Sequence, residues 1–172
     1  MQGYRRGVTL LVLSAMFIAI IFISIFFFSI PNGFGGFIHF GDSLIFIAGA
    51  LLPFPYNIIV AALGPGLFNL ARAPIWFPFT IVIKPFMALC FTREGETILF
   101  SGIRNRIAPF LAVGINTVLY FFANMILFGG WAGGVAALPG LLIQGGGSII
   151  FFFLIAGALD GIKAKKMLGL WK

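Results

Sequence analysis

Lys84 is the residue hardest to account for by folding alone. It lies in a long apolar stretch directly before Pro85. A lysine there is costly unless it faces a cavity, finds a partner or reaches an interface. Several apolar residues separate it from either end of the stretch, which favours a cavity or a partner. Asp42 opens an earlier apolar stretch. It reads either as a first-turn acid that suits the helix dipole or as a ligand group. His39, three residues before it, is close enough to pair with it. One His and one Asp fall short of a metal centre, which takes about three or four ligands. Nothing else in the chain assembles a nucleophile with an oxyanion site.

Asn116, Tyr120 and Asn124 recur every fourth residue, so they share one helix face. Such a face either hydrogen-bonds to neighbouring helices or forms one polar wall of a ligand pocket. Gln144 and Asn69 are further contributors to such a wall. Trp76 and Trp131 both fall in segments read as outer loops, where tryptophan anchors the membrane interface or stacks on a flat ligand. Arg72 reads equally as an exposed cation and as part of a pocket mouth. The chemistry open to this set is recognition rather than catalysis.

The elements that position these groups must be membrane helices. Of 172 residues, 61% are hydrophobic and 9% charged, with 23 Phe and a mean hydropathy of +1.14. Soluble domains run at about 45–50% apolar and 25% charged. The composition excludes a soluble enzyme, a disordered tail and a disulfide-rich secreted domain. A net charge of +7 would suggest nucleic acid in a soluble protein. Here the cations flank apolar runs, so the membrane reading takes precedence and no nucleic-acid partner is expected. Cys90 is the sole cysteine and makes no internal disulfide.

At about 20 residues per span the chain has room for roughly six helices and no soluble domain. Arg5 and Arg6, then Arg93, Arg104 and Arg106, then Lys163, Lys165, Lys166 and Lys172 mark three cytoplasmic segments by the positive-inside rule. The expected fold is therefore an all-α membrane protein, a six-transmembrane-helix bundle with both termini cytoplasmic. It is a single integral membrane domain over 1–172, with helices at roughly 7–30, 41–52, 56–71, 76–92, 107–128 and 136–160. The first run is too long for a signal-peptide core and lacks a small-x-small cleavage site. Pro53-Phe54-Pro55 divides the second apolar stretch into a hairpin of two short helices. The 129–134 segment, rich in glycine, reads as an outer loop, and Gly145-Gly146-Gly147 as a weak point in helix 6. No glycine cluster matches a phosphate-binding loop. Ala15 and Ala19 form an A-x-x-x-A pair that admits a close helix approach.

These residues resemble the substrate-binding S components of energy-coupling factor (ECF) vitamin transporters, and most closely the riboflavin-type branch. The likeness runs through Ala15-Met16-Phe17-Ile18-Ala19, Ile30-Pro31, Gly36 to Asp42, Leu52 to Tyr56 and Gly64-Pro65-Gly66. It continues through Ala73 to Thr80 and Lys84-Pro85. The resemblance implies a six-helix subunit of the bacterial cytoplasmic membrane that is not an enzyme and is monomeric alone. It implies high-affinity binding of one vitamin or precursor from outside. It also implies association with a membrane coupling protein and two cytoplasmic ATPases; those partners use ATP, and the chain itself holds no cofactor or metal. Ala15 and Ala19 would be the docking face for the coupling protein. The pocket would draw on His39, Asp42, Arg72, Trp76, Lys84, Asn116, Tyr120, Asn124, Trp131 and Gln144. This cationic and aromatic set suits a flat heterocycle with an anionic or polar tail. The alternatives are an intramembrane enzyme, which lacks its catalytic constellation, and a small channel or structural membrane partner, for which the helix 5 stripe is short.

Overall fold

A computed structural model describes residues 2–31, 37–100 and 102–169, with residues 2–6 described by backbone alone. Gly36, Lys172 and the side chains of Arg5 and Arg6 lie outside the described residues. Among those described, the elements are α1 (Gln2–Phe27), β1 (Ile30–Pro31), β2 (Phe37–Ile38), α2 (Gly41–Leu51) and α3 (Tyr56–Arg72). After a 3-10 turn (Pro74–Trp76) come α4 (Phe77–Leu89), α5 (Arg104–Leu127), α6 (Trp131–Gly161) and a short α7 (Ala164–Met167). The all-α expectation holds apart from one two-residue strand pair. In it Ile30 lies opposite Ile38 and Pro31 opposite Phe37, antiparallel.

Among the described residues, three helices are long and apolar enough to cross a membrane: Gly7–Phe27, Arg104–Leu127 and Trp131–Gly161. Large apolar side chains cover their outer faces, among them Leu11, Phe27, Ile126 and Leu154. In water such a surface would drive association; against lipid it is the expected coat. The other helices complete the interior. α2, with every residue but Leu44 buried, is central and packs on α1, α3, α4 and α6. At about 1.5 Å per residue it is shorter than the helix of about 20 residues that a full-thickness span takes. The chain turns after it at Pro53–Pro55 and returns as α3, as the proline pair predicts. α3 packs between α1 and α4, and α5 between α4 and α6.

Four boundaries differ from the sequence reading, the first being the end of α4, at Leu89 rather than near 92. α1 stops at Phe27 rather than near 30, because Ile30-Pro31 is drawn into the strand pair. α5 begins at Arg104, inside the polar stretch. α6 begins at Trp131 rather than 136. The turn is confined to Phe128, Gly129 and Gly130, and the φ angles of the two glycines, +81° and +66°, favour glycine. Trp131-Ala132-Gly133-Gly134 is therefore the first turn of a helix and not an outer loop. Gly134 is a glycine for packing: a Cβ there would lie 2.8 Å from the Phe121 ring of α5. The Gly145–Gly147 weak point does not appear, and α6 runs unbroken for 31 residues. Gly145 lets Val113 of α5 approach, and Gly147 admits the ring of Phe40.

Two features close the end of the bundle where α4 meets α5. Phe46, Phe91 and Phe152 form a ring cluster with centroids 5.1, 5.2 and 5.9 Å apart. Around it the 89–100 segment is held by side chains. Asp160, at the end of α6, accepts from the Ile98 and Leu99 N–H groups at 2.5 and 2.8 Å. Lys165 of α7 donates to the Arg93 and Thr97 carbonyls at 2.9 and 3.0 Å. Asn105 of α5 accepts from the Thr92 N–H and donates to the Thr92 and Ile98 carbonyls.

Candidate functional site

At the other end, β2, α3, the 3-10 turn, α4, α5 and α6 enclose a cavity of about 590 Å³, counting its open mouth. The space is narrow: water-wide room amounts to about 50 Å³. Seven of the ten expected residues line it: His39, Trp76, Lys84, Asn116, Tyr120, Asn124 and Gln144. The fourfold spacing on α5 does place Asn116, Tyr120 and Asn124 on one wall.

The polar groups are largely committed to one another. Lys84 Nζ donates to Asp42 Oδ1 at 2.7 Å and to Asn116 Oδ1 at 3.1 Å. Gln144 Nε2 donates to the second Asp42 oxygen at 2.8 Å. Lys84 is 2% exposed and Asp42 1%, so the pair is fully withdrawn from solvent. Asp42 stands behind the lining as the counter-ion, and it also lies in the first turn of α2, as a dipole-suited acid would. A second chain runs along the wall: Asn69 Nδ2 donates to Thr80 Oγ1 at 2.6 Å, and the Thr80 and Tyr120 hydroxyls are hydrogen-bonded to each other at 2.6 Å. Thr80 and the rings of Phe37 and Phe68 belong to the lining and were not among the expected site residues. The period-four signal could not find them, because each comes from a different element.

The aromatic walls meet at Trp76, whose ring lies 5.8 Å from Tyr120 and 5.7 Å from Phe128. His39 is buried at the β2–α2 junction, where Gly41 N–H donates to its Nδ1 at 3.2 Å. Burial pushes its pKa down to about 4; the Asp42 charge opposes this and the Lys84 charge reinforces it. The imidazole is therefore neutral at physiological pH. Asn124 donates from Nδ2 to the Tyr120 carbonyl at 2.8 Å, and its Oδ1 is buried without a partner among the described residues.

Two expected site residues lie elsewhere. Arg72, at the last turn of α3, is exposed, and its guanidinium sits 4.6 Å over the Phe26 ring of α1. Trp131 is 69% exposed and meets only the edge of Phe121 among ring partners. As the first residue of α6 it lies on the outer surface of the α5–α6 pair, which fits the anchoring role of an interfacial tryptophan. With Arg72 outside and Lys84 neutralised by Asp42, the cavity offers no free positive charge among the described residues. Ala15 and Ala19 are both exposed on α1, among Leu11, Val12, Met16 and Ile20.

No curated protein and no solved structure matches the chain. The family model described as ECF-type riboflavin transporter, S component, matches residues 7–161, nearly the whole of a multi-pass apolar chain whose polar groups converge on one cavity. The chain belongs to the family of ECF-type riboflavin transporter S components, membrane subunits of a transporter.

Proposed function

We propose that this chain is the high-affinity binding subunit of an ATP-dependent importer and that its ligand is riboflavin or a close uncharged relative. The observation that carries the reading is the cavity itself. It is lined by aromatic rings and hydrogen-bonding amides, and its buried lysine is neutralised by a buried acid. Flat heteroaromatic rings suit such walls. The expectation of an anionic tail is withdrawn, because an anion in the cavity would meet no unpaired cation.

In this reading six segments cross the bacterial cytoplasmic membrane with both termini inside, α2 and α3 forming a hairpin of short crossings. The cavity faces outside, and the end clamped by Asp160 and Lys165 faces the cytoplasm. That orientation puts Arg93, Arg104, Arg106, Lys163 and Lys166 on the inner side, in keeping with the positive-inside rule. The chain carries no nucleotide-binding loop, so ATP is used by two cytoplasmic ATPases joined through a membrane coupling protein. The exposed Ala15 and Ala19 of α1 offer that protein a face of small residues.

Uptake of labelled riboflavin by cells that contain a coupling module and ATPases but no other flavin importer tests the assembly. The intact chain is expected to confer uptake. Ala15→Leu with Ala19→Leu is expected to abolish it while purified protein binds riboflavin as before. Uptake surviving in the double variant removes the docking assignment; no uptake with the intact chain removes the importer reading.

A further inference from the structure

We propose that the clamped end of the bundle is a binding surface for anionic phospholipid. Arg106 and Lys166 hold headgroup phosphates there, while Phe100, Ile103, Ile162 and Met167 sit among the adjoining acyl segments. The inference does not rest on the flavin reading: it concerns the opposite end of the bundle and needs only that α5 and α6 cross a membrane.

The two long helices fix where this end lies. α5 starts at Arg104 and runs 24 residues, and α6 ends at Gly161 after 31. At about 1.5 Å per residue each is longer than a hydrocarbon core of about 30 Å. On α5 the exposed stripe of Phe122, Val118, Leu111 and Ile107 leads to exposed Ile103, just before the first turn. On α6 the exposed Ile150 and Leu154 lead to exposed Ile162, just past the last turn. Each stripe runs out at headgroup level, and exposed cations follow at once, Arg104 and Arg106 at one, Lys163 and Lys166 at the other. Phe100 and Met167, 73% and 75% exposed, extend the two apolar tips. Large apolar side chains alternating with cations suit the boundary between acyl chains and phosphates.

The cations at this end have different duties. Lys165 is buried and committed to the loop carbonyls. Arg104 donates to the Leu89, Cys90 and Phe91 carbonyls at the end of α4. Arg93, Arg106, Lys163 and Lys166 are exposed and make no ion pair among the described residues. Arg106 reaches the Gly102 carbonyl only at 3.5 Å. Lys163, with a left-handed φ of +53°, turns the chain after α6. That turn points Lys165 into the loop and leaves Lys166 and Met167 facing out. Asp160 is occupied by the Ile98 and Leu99 N–H groups, so the exposed acids here are Glu94 and Glu96. The exposed charge is net positive, and it complements an anionic headgroup. An acidic protein or a free phosphate would answer the charge and leave the apolar tips in water; a phospholipid answers both.

The test offers the full chain in detergent an equimolar mixture of phosphatidylglycerol and phosphatidylcholine with matched acyl chains. Native mass spectrometry reads which lipid is retained. The intact chain is expected to favour phosphatidylglycerol about tenfold or more. In Arg106→Gln with Lys166→Gln the preference falls to within about threefold, whereas Arg72→Gln, at the other end of the bundle, keeps it. Neither Arg106 nor Lys166 holds the clamp, so the double variant is expected to melt with the intact protein. Equal retention of the two lipids by the intact chain overturns the proposal, and that comparison needs no variant to fold. A preference that survives in the double variant, or is lost in Arg72→Gln, also overturns it. So does displacement of phosphatidylglycerol by equimolar inorganic phosphate, which would make the surface a plain anion site. If the double variant abolishes uptake in cells while the intact chain shows no lipid preference, the surface docks a protein and the proposal falls.

Discussion

Lys84→Ala is expected to destabilise the folded protein by about 3–5 kcal/mol, the cost of leaving a buried carboxylate without its partner. Lys84 and Asp42 are paired at 2.7 Å with both side chains almost fully buried. Removing the ammonium leaves Asp42 with only the Gln144 amide as a donor, and it also strands Asn116 Oδ1. The sequence alone suggests a milder outcome, a weakened ligand contact in a protein that still folds. The pairing changes that expectation, because the lysine holds α4 to α2 as well as lining the cavity. The double variant Lys84→Met with Asp42→Asn removes both charges and is expected to recover most of the loss. Thermal denaturation in detergent, followed by helical circular dichroism, separates these outcomes. A single variant that melts with the intact protein, or a double variant no better than the single, contradicts the assignment of a structural ion pair.

The second large effect lies at the opposite end. Asp160→Ala removes the acceptor for the Ile98 and Leu99 N–H groups, leaving two buried residues, 1% and 7% exposed, with unsatisfied backbone donors. Hydrogen bonds to a charged group contribute about 1.5–3 kcal/mol each. The 93–99 loop is expected to open locally rather than to unfold the bundle, because the Phe46–Phe91–Phe152 cluster and the helix packing do not depend on it. Trypsin cleavage after Arg93 should accelerate about tenfold to a hundredfold, with a smaller change in the global melt. Asp160→Asn, which retains one acceptor oxygen, should fall between. An unchanged cleavage rate would mean that Lys165 and Asn105 hold the loop without Asp160.

What could be read in the residues follows a physical rule. Signals carried by neighbours in sequence were legible. The Pro53–Pro55 break, the helical runs and the shared face of Asn116, Tyr120 and Asn124 depend on backbone chemistry or on the period of one helix. Lys84 stood out because burial of a charge is costly wherever it occurs. Its partner was less legible: Asp42 lies in another helix, and composition does not say which of the available groups a lysine meets. Arg72 and Trp131 show the same limit from the other side. Both stand at helix ends, and the direction each faces is set by the packing of α3 on α1 and of α6 on α5. The start of α6 was misread because Trp131-Ala132-Gly133-Gly134 has a loop's composition and a helix's packing role. The strand pair of Ile30-Pro31 with Phe37-Ile38 is too short to carry an alternating pattern, and its residues are as apolar as the helix before them.

The central claim is that the cavity binds one uncharged flavin-type ring per chain. Native mass spectrometry of the intact protein, offered equal amounts of riboflavin and riboflavin phosphate, tests it most directly. The account predicts a single riboflavin per chain and little of the phosphate ester, since Asp42 already neutralises Lys84 and Arg72 lies outside the cavity. Equal occupancy by the phosphate ester, or a protein that takes up neither, would contradict it.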